Sequence, residues 1–272
     1  MKGFAAISCV HEIAYNKNSS SGRTEDTSKC NDDTCQSSGD TVSDGGDTGQ
    51  SSGDTGQSSA HAPAFDEENL QYILRDFLLA GSETTTTSIK WTLLFVANRP
   101  ELQDRVHAEI SHVVGSGRQV RLSDRESLPL LEALIWEIQR YNTIVPLGLP
   151  HFSKVHSTIG KYDVPPRTFI AANLYAIHMN ADVFEKPHDF RPERFIDARG
   201  RFVKHAHVIP FGIGKRSCLG ELLARQELFL FTATLLQRFR FLPARGVTSL
   251  DERGVLGFTY GPKKFSIRAI PR

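Results

Sequence analysis

The stretch FGIGKRSCLG, residues 211–220, places one thiol in a glycine-rich loop. Lys215 and Arg216 stand just before Cys218, and the apolar pattern after the thiol predicts a helix from Cys218 to about Phe239. The loop also contains three glycines, Gly212, Gly214 and Gly220. Without Cβ atoms, a backbone of this kind can lie directly against a flat group.

Several roles are open to Cys218. A free cysteine is by default a small buried hydrophobe. A helix N-terminus and two neighbouring cations instead favour a thiolate, because both stabilise negative charge. The loop lacks the Lys-Ser ending of a phosphate-binding loop, and no helper histidine for a nucleophilic role can be identified from sequence. Metal binding fits best, because a lone thiolate suggests an iron whose other positions are filled by a porphyrin.

The ten residues resemble the haem-binding loop of the cytochromes P450, Phe-x-x-Gly-x-Arg-x-Cys-x-Gly, at every position. The resemblance implies that Cys218 is the proximal thiolate ligand of the iron of haem b. It also implies that Arg216 pairs with a haem propionate and that Phe211 packs beside the thiolate. The three glycines of the loop would then belong to the cofactor-binding surface.

A second motif lies in LEALIWEIQR, residues 131–140, where Glu137 and Arg140 are one helical turn apart. A surface ion pair at this spacing is common and contributes about a few tenths of a kcal/mol. In cytochromes P450, however, a Glu-x-x-Arg at this place is joined by an arginine from a Pro-Glu-Arg-Phe segment, which resembles residues 192–195. The resemblance implies a structural charge network of Glu137, Arg140 and Arg194 that braces the haem loop.

A third motif is LLAGSETTTTS, residues 78–88, which is unfavourable composition for a helix interior. A small-residue helix contact, or a kink where hydroxyls bond back to carbonyls, would explain it. It also resembles the distal helix of the cytochromes P450. That resemblance implies that Thr84 steadies dioxygen and that Glu83 connects it to bulk protons, because an acid beside an alcohol can relay protons.

Weaker matches concern the substrate and one haem edge. TIVPLGLPH, residues 143–151, resembles a turn of the microsomal family 2 cytochromes P450. The resemblance implies that His151 meets a propionate. Four residues would contact substrate: Ala80, Val145, Leu147 and Phe258. Val145 and Leu147 have an alternative explanation as plain core residues.

The pattern beyond residue 64 predicts a mainly α chain with a minor β part. Helices are predicted at about 66–98, 100–115, 127–141 and 218–239, and short strands within 151–178 and 256–268. Ser123 and Glu126 have capping-box spacing, and a turn is predicted at Gly261-Pro262. The resemblance implies that residues 65–272 are the C-terminal, haem-binding half of a cytochrome P450 domain. On that basis the fold is truncated, with the membrane anchor, the early sheet and the helices that roof the substrate missing.

Residues 1–64 have a different composition. QSSGDT recurs, and aromatic residues are absent from Asn16 to Pro63, so the segment is predicted to be disordered. Cys30 and Cys35 match no common zinc spacing and are interpreted as free thiols rather than a metal site. The net charge of +1 gives no electrostatic indication of nucleic-acid binding.

Three functions remain open. The leading one is a haem-thiolate monooxygenase that inserts one oxygen atom from dioxygen into an apolar lipid, fatty acid or xenobiotic. Its electrons would come from NADPH through a P450 reductase, with cytochrome b5 as a further donor, and Lys204 and Lys215 could meet an acidic partner face. The alternatives are a truncated, non-catalytic protein and a reductase-independent haem-thiolate isomerase or peroxygenase. The resemblance implies the endoplasmic reticulum membrane; the sequence contains no apolar run long enough for an anchor, so a cytoplasmic location is the alternative.

Overall fold

The computed structural model describes residues 66–272, so the low-complexity segment predicted at 1–64, with its three cysteines, lies outside the described residues. Helices dominate the described range, and the predicted mainly α class with a minor β part is confirmed. The α-helices are α1 Glu67–Asn98, α2 Pro100–Val113, α3 Pro129–Tyr141, α4 Leu174–His178 and α5 Glu221–Arg238. Short 3-10 helices cover Leu122–Ser127, Pro192–Phe195 and Gly214–Arg216.

The first two helices begin where the sequence indicates. The side chain of Asp66 accepts a hydrogen bond from the backbone N–H of Asn69 at 2.8 Å, which satisfies one of the unpaired donors at the start of α1. Pro100 occupies the first turn of α2, where its missing N–H costs nothing.

The start of α3 differs from the prediction. Ser123 and Glu126 lie inside the 3-10 helix Leu122–Ser127, so they do not form the predicted capping box. The carboxylate of Glu109, on α2, instead accepts the backbone N–H groups of Leu130 and Leu131, both at 2.9 Å. A side chain from a neighbouring helix therefore caps α3.

The strands form four antiparallel pairs in the described range: β1 with β4, β2 with β3, β5 with β8 and β6 with β7. Their bounds are β1 His151–Phe152, β2 Ser157–Ile159, β3 Tyr162–Val164, β4 Phe169–Ile170, β5 Phe239–Pro243, β6 Gly254–Leu256, β7 Tyr260–Pro262 and β8 Ile267–Pro271. The turn predicted at Gly261-Pro262 is wrong, because both residues lie in β7 and the hairpin turns through residues 257–259. Pro262 is tolerated there because it ends a short, two-stranded sheet.

The main hydrophobic core lies between α1, α2, α3 and α5, around Trp91, Phe95, Leu134 and Phe229, which are fully buried. A second cluster, which includes Trp136, Phe184 and Phe195, lies on the other side of α3. As a result, every residue of α3 from Leu130 to Arg140 is buried, including its charged side chains. In the part of the chain that the structure describes, no helix is both long and apolar enough to cross a membrane.

Candidate functional site

The loop Phe211–Gly220 folds back on itself ahead of α5. The backbone N–H of Cys218 donates to the carbonyl of Phe211 at 2.9 Å. Gly212 and Gly214 have φ angles of 74° and 78°, a region that residues with side chains rarely adopt. Helix α5 begins at Glu221, not at Cys218 as predicted, so the thiol precedes the first helical turn by three residues.

The surroundings of the thiol fit a planar, apolar cofactor with a soft metal. Cys218 is free and exposed, and Leu219 and Ile213 beside it are 86% and 69% exposed. Lys215 and Arg216 are exposed on the same loop. This loop therefore presents a sulfur ligand for iron, apolar side chains for a macrocycle and a guanidinium for a carboxylate.

The structure brings Glu137, Arg140 and Arg194 into one contact network. Both carboxylate oxygens of Glu137 accept from Arg140, at 2.7 and 2.8 Å. The same carboxylate accepts the Nε–H of Arg194 at 3.1 Å and the backbone N–H of Arg191 at 2.8 Å. The side chains of Glu137 and Arg140 are fully buried, and that of Arg194 is 6% exposed. This is a buried network, unlike a surface ion pair.

The same arginines reach further into the irregular segment before the loop. Arg140 donates to the carbonyls of His178 and Pro187, at 2.8 and 2.9 Å. Arg194 donates to the carbonyls of Glu185 and Asp189, at 3.0 and 2.9 Å. Because carbonyl contacts hold a backbone without regular secondary structure, the network fixes residues 178–194 against α3.

His178 is a site residue that its local sequence does not reveal. Its ring is fully buried, and its Nε2 accepts the backbone N–H of Ile209 at 2.9 Å. Its Nδ1 lies 2.7 Å from the hydroxyl of Thr143. Burial and the nearby Arg140 guanidinium lower the pKa of His178 to about 3, so its ring is neutral.

Arg225 was also missed, although it holds the first residue of the loop. Its guanidinium lies 4.8 Å from the ring centre of Phe211 and 4.7 Å from that of Trp136. Glu221 accepts from it at 2.8 Å. Arg225 thus links the loop and α5 to α3, and nothing in the local sequence identified this pairing.

Helix α1 runs without interruption through Gly81 and the threonines. The hydroxyls of Thr84 and Ser88 bond back to the carbonyls four residues earlier, at 2.8 and 3.0 Å, so they are satisfied within the helix. The carboxylate of Glu83 accepts from Thr259 at 3.0 Å and from Thr87 at 3.4 Å. The acid is therefore held by hydroxyls of α1 and of the β6–β7 hairpin.

The distal motif and the loop are joined through α5. The hydroxyl of Thr85, the residue after Thr84, donates to the carboxylate of Glu227 at 3.2 Å. Glu227 follows the thiol by nine residues, on the helix that the loop leads into. This contact fixes α1 directly against the helix that follows Cys218.

The four residues expected to contact substrate, and His151, which is expected to meet a propionate, are mostly exposed. Ala80 and His151 are exposed, as are Leu147 (49%) and Phe258 (72%), whereas Val145 is half-buried. The turn carrying Val145 and the hairpin carrying Phe258 are joined, because the backbone N–H of Tyr260 donates to the carbonyl of Ile144 at 2.7 Å.

The hairpin is also anchored to α1. The indole N–H of Trp91 donates to the carbonyl of Tyr260 at 3.0 Å, and the two rings stack with their centres 5.5 Å apart. One tyrosine therefore connects the hairpin, the turn after α3 and α1.

Comparison with known proteins gives a consistent result. The family model described as Cytochrome P450 matches residues 50–269. The chain is 43% identical over 204 residues to cytochrome P450 2U1 of Homo sapiens, which is 75% of this chain and 38% of that protein. It is 41% identical over 209 residues to cytochrome P450 2D14 of Bos taurus, covering 77% and 42%. With cytochrome P450 2J1 of Oryctolagus cuniculus it shares 44% over 213 residues, covering 77% and 41%. The chain thus spans about two fifths of the length of these relatives.

Proposed function

Because this chain belongs to the cytochrome P450 family, we propose that it is a haem-thiolate monooxygenase, with Cys218 as the axial ligand of the iron of haem b. The observation that carries the proposal is the free, exposed thiol between apolar side chains in a loop with two left-handed glycines. When bound, haem supplies the activation of dioxygen for insertion of one oxygen atom into an apolar substrate.

On the proximal side, the chain's own residues are proposed to hold and orient the haem. Cys218 supplies the sulfur, and its backbone N–H is tied to the carbonyl of Phe211. Gly212 and Gly214 give the loop its shape, Gly220 lies beside the thiol, where an added Cβ would be 3.9 Å from the sulfur, and Arg216 supplies a cation for one propionate. His151 is proposed to meet the other.

On the distal side, the residues move a proton. Glu83 is exposed to solvent, and one of its carboxylate oxygens accepts from two threonine hydroxyls, so the acid can exchange protons with water. Thr84 follows it directly in α1 and carries a hydroxyl, which donates to the carbonyl of Ala80. An acid and an alcohol in this order can deliver protons to bound dioxygen.

Substrate and partners are proposed from the same surfaces. Four residues would line an apolar substrate such as a lipid, fatty acid or xenobiotic: Ala80, Val145, Leu147 and Phe258. Lys215, in the loop, and Lys204, which precedes the loop in the chain, are exposed and suit an acidic face of an NADPH-dependent P450 reductase or of cytochrome b5. The proposed organisation is a haem-binding unit at 65–272 after a separate segment 1–64, located at the endoplasmic reticulum membrane.

A reduced carbon monoxide difference spectrum tests the ligand. The full chain is reconstituted with haem b, reduced and exposed to carbon monoxide, beside Cys218→Ser and a Cys9→Ser control. We expect the red-shifted band of a thiolate ligand in the wild type and the control, and its loss in Cys218→Ser. A thiolate-type band that persists in Cys218→Ser would overturn the assignment.

Turnover separates the reaction classes. Product formed with NADPH and P450 reductase, but not with hydrogen peroxide alone, supports monooxygenation. The reverse result supports a peroxygenase, and rearrangement of a peroxide substrate without either supports an isomerase.

A non-catalytic role is the second candidate, and one observation favours it. The first turns of α1 expose a run of large apolar side chains, including Leu78 (71%) and Leu79 (65%). Such a surface is typical of a protein interface. Failure of the wild-type chain to bind haem under conditions where it is folded would support this role over catalysis.

A further inference from the structure

His178 uses both of its ring nitrogens, and the motifs of the haem loop do not include it. Nε2 lies 2.9 Å from the backbone nitrogen of Ile209, and a backbone nitrogen carries a hydrogen that it can only donate. Nε2 must therefore be the unprotonated nitrogen. The ring hydrogen is on Nδ1, which faces the hydroxyl of Thr143 at 2.7 Å.

The hydroxyl of Thr143 agrees with this tautomer. It donates its own hydrogen to the carbonyl of Arg140 at 3.0 Å, so its oxygen is available to accept from Nδ1 of His178. Each hydrogen of these contacts therefore has one donor and one acceptor. Ile209, His178, Thr143 and Arg140 are thus connected by three consecutive hydrogen bonds.

At one end of these three hydrogen bonds, Ile209 lies just before the loop. Ile209 gives its N–H to His178, and its carbonyl accepts the N–H of Gly212 at 3.0 Å. Gly212 is the first left-handed glycine of the loop. The peptide groups of Ile209 therefore set the position from which the turn toward Cys218 begins.

At the other end of these three hydrogen bonds, Arg140 belongs to the buried network with Glu137. The carbonyl of His178 itself accepts from the Arg140 guanidinium at 2.8 Å. His178 is consequently held by its backbone from one side while its ring holds Ile209 on the other. The contact with Arg140 is buried and the contact with Ile209 is partly buried, and the ring of His178 is itself fully buried, so an unpaired ring nitrogen would be costly.

We propose that His178 is a positioning residue for the thiol loop, and that it acts through the hydrogen bond from Ile209 to its Nε2. The ring fixes the loop's first turn relative to the buried network on α3. That the loop then holds haem rests on the proposed function; the positioning of Ile209 does not.

Two substitutions distinguish the hydrogen bond of Nε2 with Ile209 from that of Nδ1 with Thr143. In His178→Asn the amide nitrogen takes the place of Nδ1, so the bond to Thr143 is kept and the acceptor for Ile209 is lost. In His178→Gln the longer side chain brings an amide oxygen to the place of Nε2, so the acceptor for Ile209 is kept. Neither side chain titrates, and both remove the aromatic ring, although glutamine keeps one methylene more than asparagine.

The readout is hydrogen exchange of the Ile209 amide, measured by mass spectrometry with single-residue fragmentation on the full chain without haem. We expect exchange at Ile209 and Gly212 to be about three- to tenfold faster in His178→Asn than in His178→Gln, which is the range for loss of one hydrogen bond. The amide of Trp91, inside α1, reports global folding. Equal exchange at Ile209 in the two variants would overturn the proposal.

A second variant keeps the test valid if His178→Asn unfolds, as loss of protection at Trp91 would show. Thr143→Val removes the acceptor for Nδ1 and leaves the histidine in place. We expect faster exchange at Ile209 in Thr143→Val than in Thr143→Ser. Equal protection of Ile209 in this pair overturns the proposal.

Haem binding by the same variants distinguishes the positioning role of His178 from the proposed haem-thiolate function. If the exchange result is obtained but no form of the chain gives a thiolate-type spectrum, the positioning role stands and the proposed function fails. If the wild type gives that spectrum but exchange at Ile209 does not distinguish the variants, the proposed function stands and the positioning role fails.

Discussion

The hydroxyl of Thr259 lies 3.0 Å from the carboxylate of Glu83, and this contact joins the β6–β7 hairpin to α1. Thr87 lies 3.3 Å from Thr259 and 3.4 Å from Glu83, so the three side chains form one cluster. Both threonines are buried. The direction of the Glu83 carboxylate is therefore set by a residue 176 positions further along the chain.

Replacing Thr259 with valine tests this cluster. The substitution keeps the shape of the side chain and removes the hydroxyl that Glu83 accepts from. We expect a coupling energy of about 0.5–1 kcal/mol between Glu83→Gln and Thr259→Val in a double-mutant cycle of urea unfolding. Thr86→Val, at an exposed threonine of α1, is the matched control and should show no coupling to Glu83. Strict additivity of Glu83→Gln and Thr259→Val would contradict the prediction.

Replacing Glu137 with glutamine tests the buried network. Arg140 would keep its full charge with no carboxylate beside it, and breaking a buried pair in this way costs about 3–5 kcal/mol. Urea unfolding of Glu137→Gln should show a loss of that order.

The control for that experiment is Glu193→Gln. Glu193 lies 2.6 Å from Arg105, but the two side chains are 42% and 55% exposed. An exposed pair contributes at most about 1 kcal/mol. Similar losses in Glu137→Gln and Glu193→Gln would mean that burial does not distinguish the two pairs.

Acid should destabilise the chain through His178. The pKa of His178 is about 3 in the folded chain and 6.5 for an unperturbed histidine, so between these values the unfolded chain binds a proton that the folded chain does not. The resulting stability is fully present above pH 6.5 and is lost as the pH falls toward 3. The loss is about 1.4 kcal/mol per pH unit, or about 2 kcal/mol at pH 5.

Comparison with His178→Gln isolates this effect. The pKa values of His107 and His205 are also lowered, mainly by burial, so the wild type alone would report all three histidines. The free energy of unfolding of the wild type minus that of His178→Gln should decrease between pH 7.5 and pH 5. A difference that stays constant over this range would show that His178 does not titrate as described.

Replacing Arg225 with lysine tests the contact between the loop and α3. Lysine keeps the charge and loses the planar group that faces Phe211 and Trp136. We expect a loss of about 1–2 kcal/mol in urea unfolding. Arg238→Lys, at an exposed position of the same helix, should be neutral, and equal effects of the two substitutions would argue against the stacked arrangement.

Local signals in the sequence were sufficient for much of the fold. Asp66 and Pro100 marked helix starts because capping and proline geometry depend on a few neighbouring residues. The box predicted from Ser123 and Glu126 failed because a carboxylate from α2 caps α3 instead. The thiol loop itself was recognisable because its ten residues are contiguous.

The rest of the site depends on contacts between distant residues. Ile209 is 31 residues from His178, and Glu227 is 142 from Thr85. A single sequence contains no sign that these positions meet. A buried histidine that accepts a backbone N–H is also, in sequence, indistinguishable from an exposed one.

The hydrogen bond from Tyr260 to the carbonyl of Ile144 has an evolutionary consequence. It ties the turn that carries Val145 and Leu147 to the hairpin that carries Phe258. A substitution that shifts one of these segments must displace the other, so their mutational effects are epistatic. Given the substrate contacts proposed for the two segments, ligand preference in this lineage should change through paired substitutions in them.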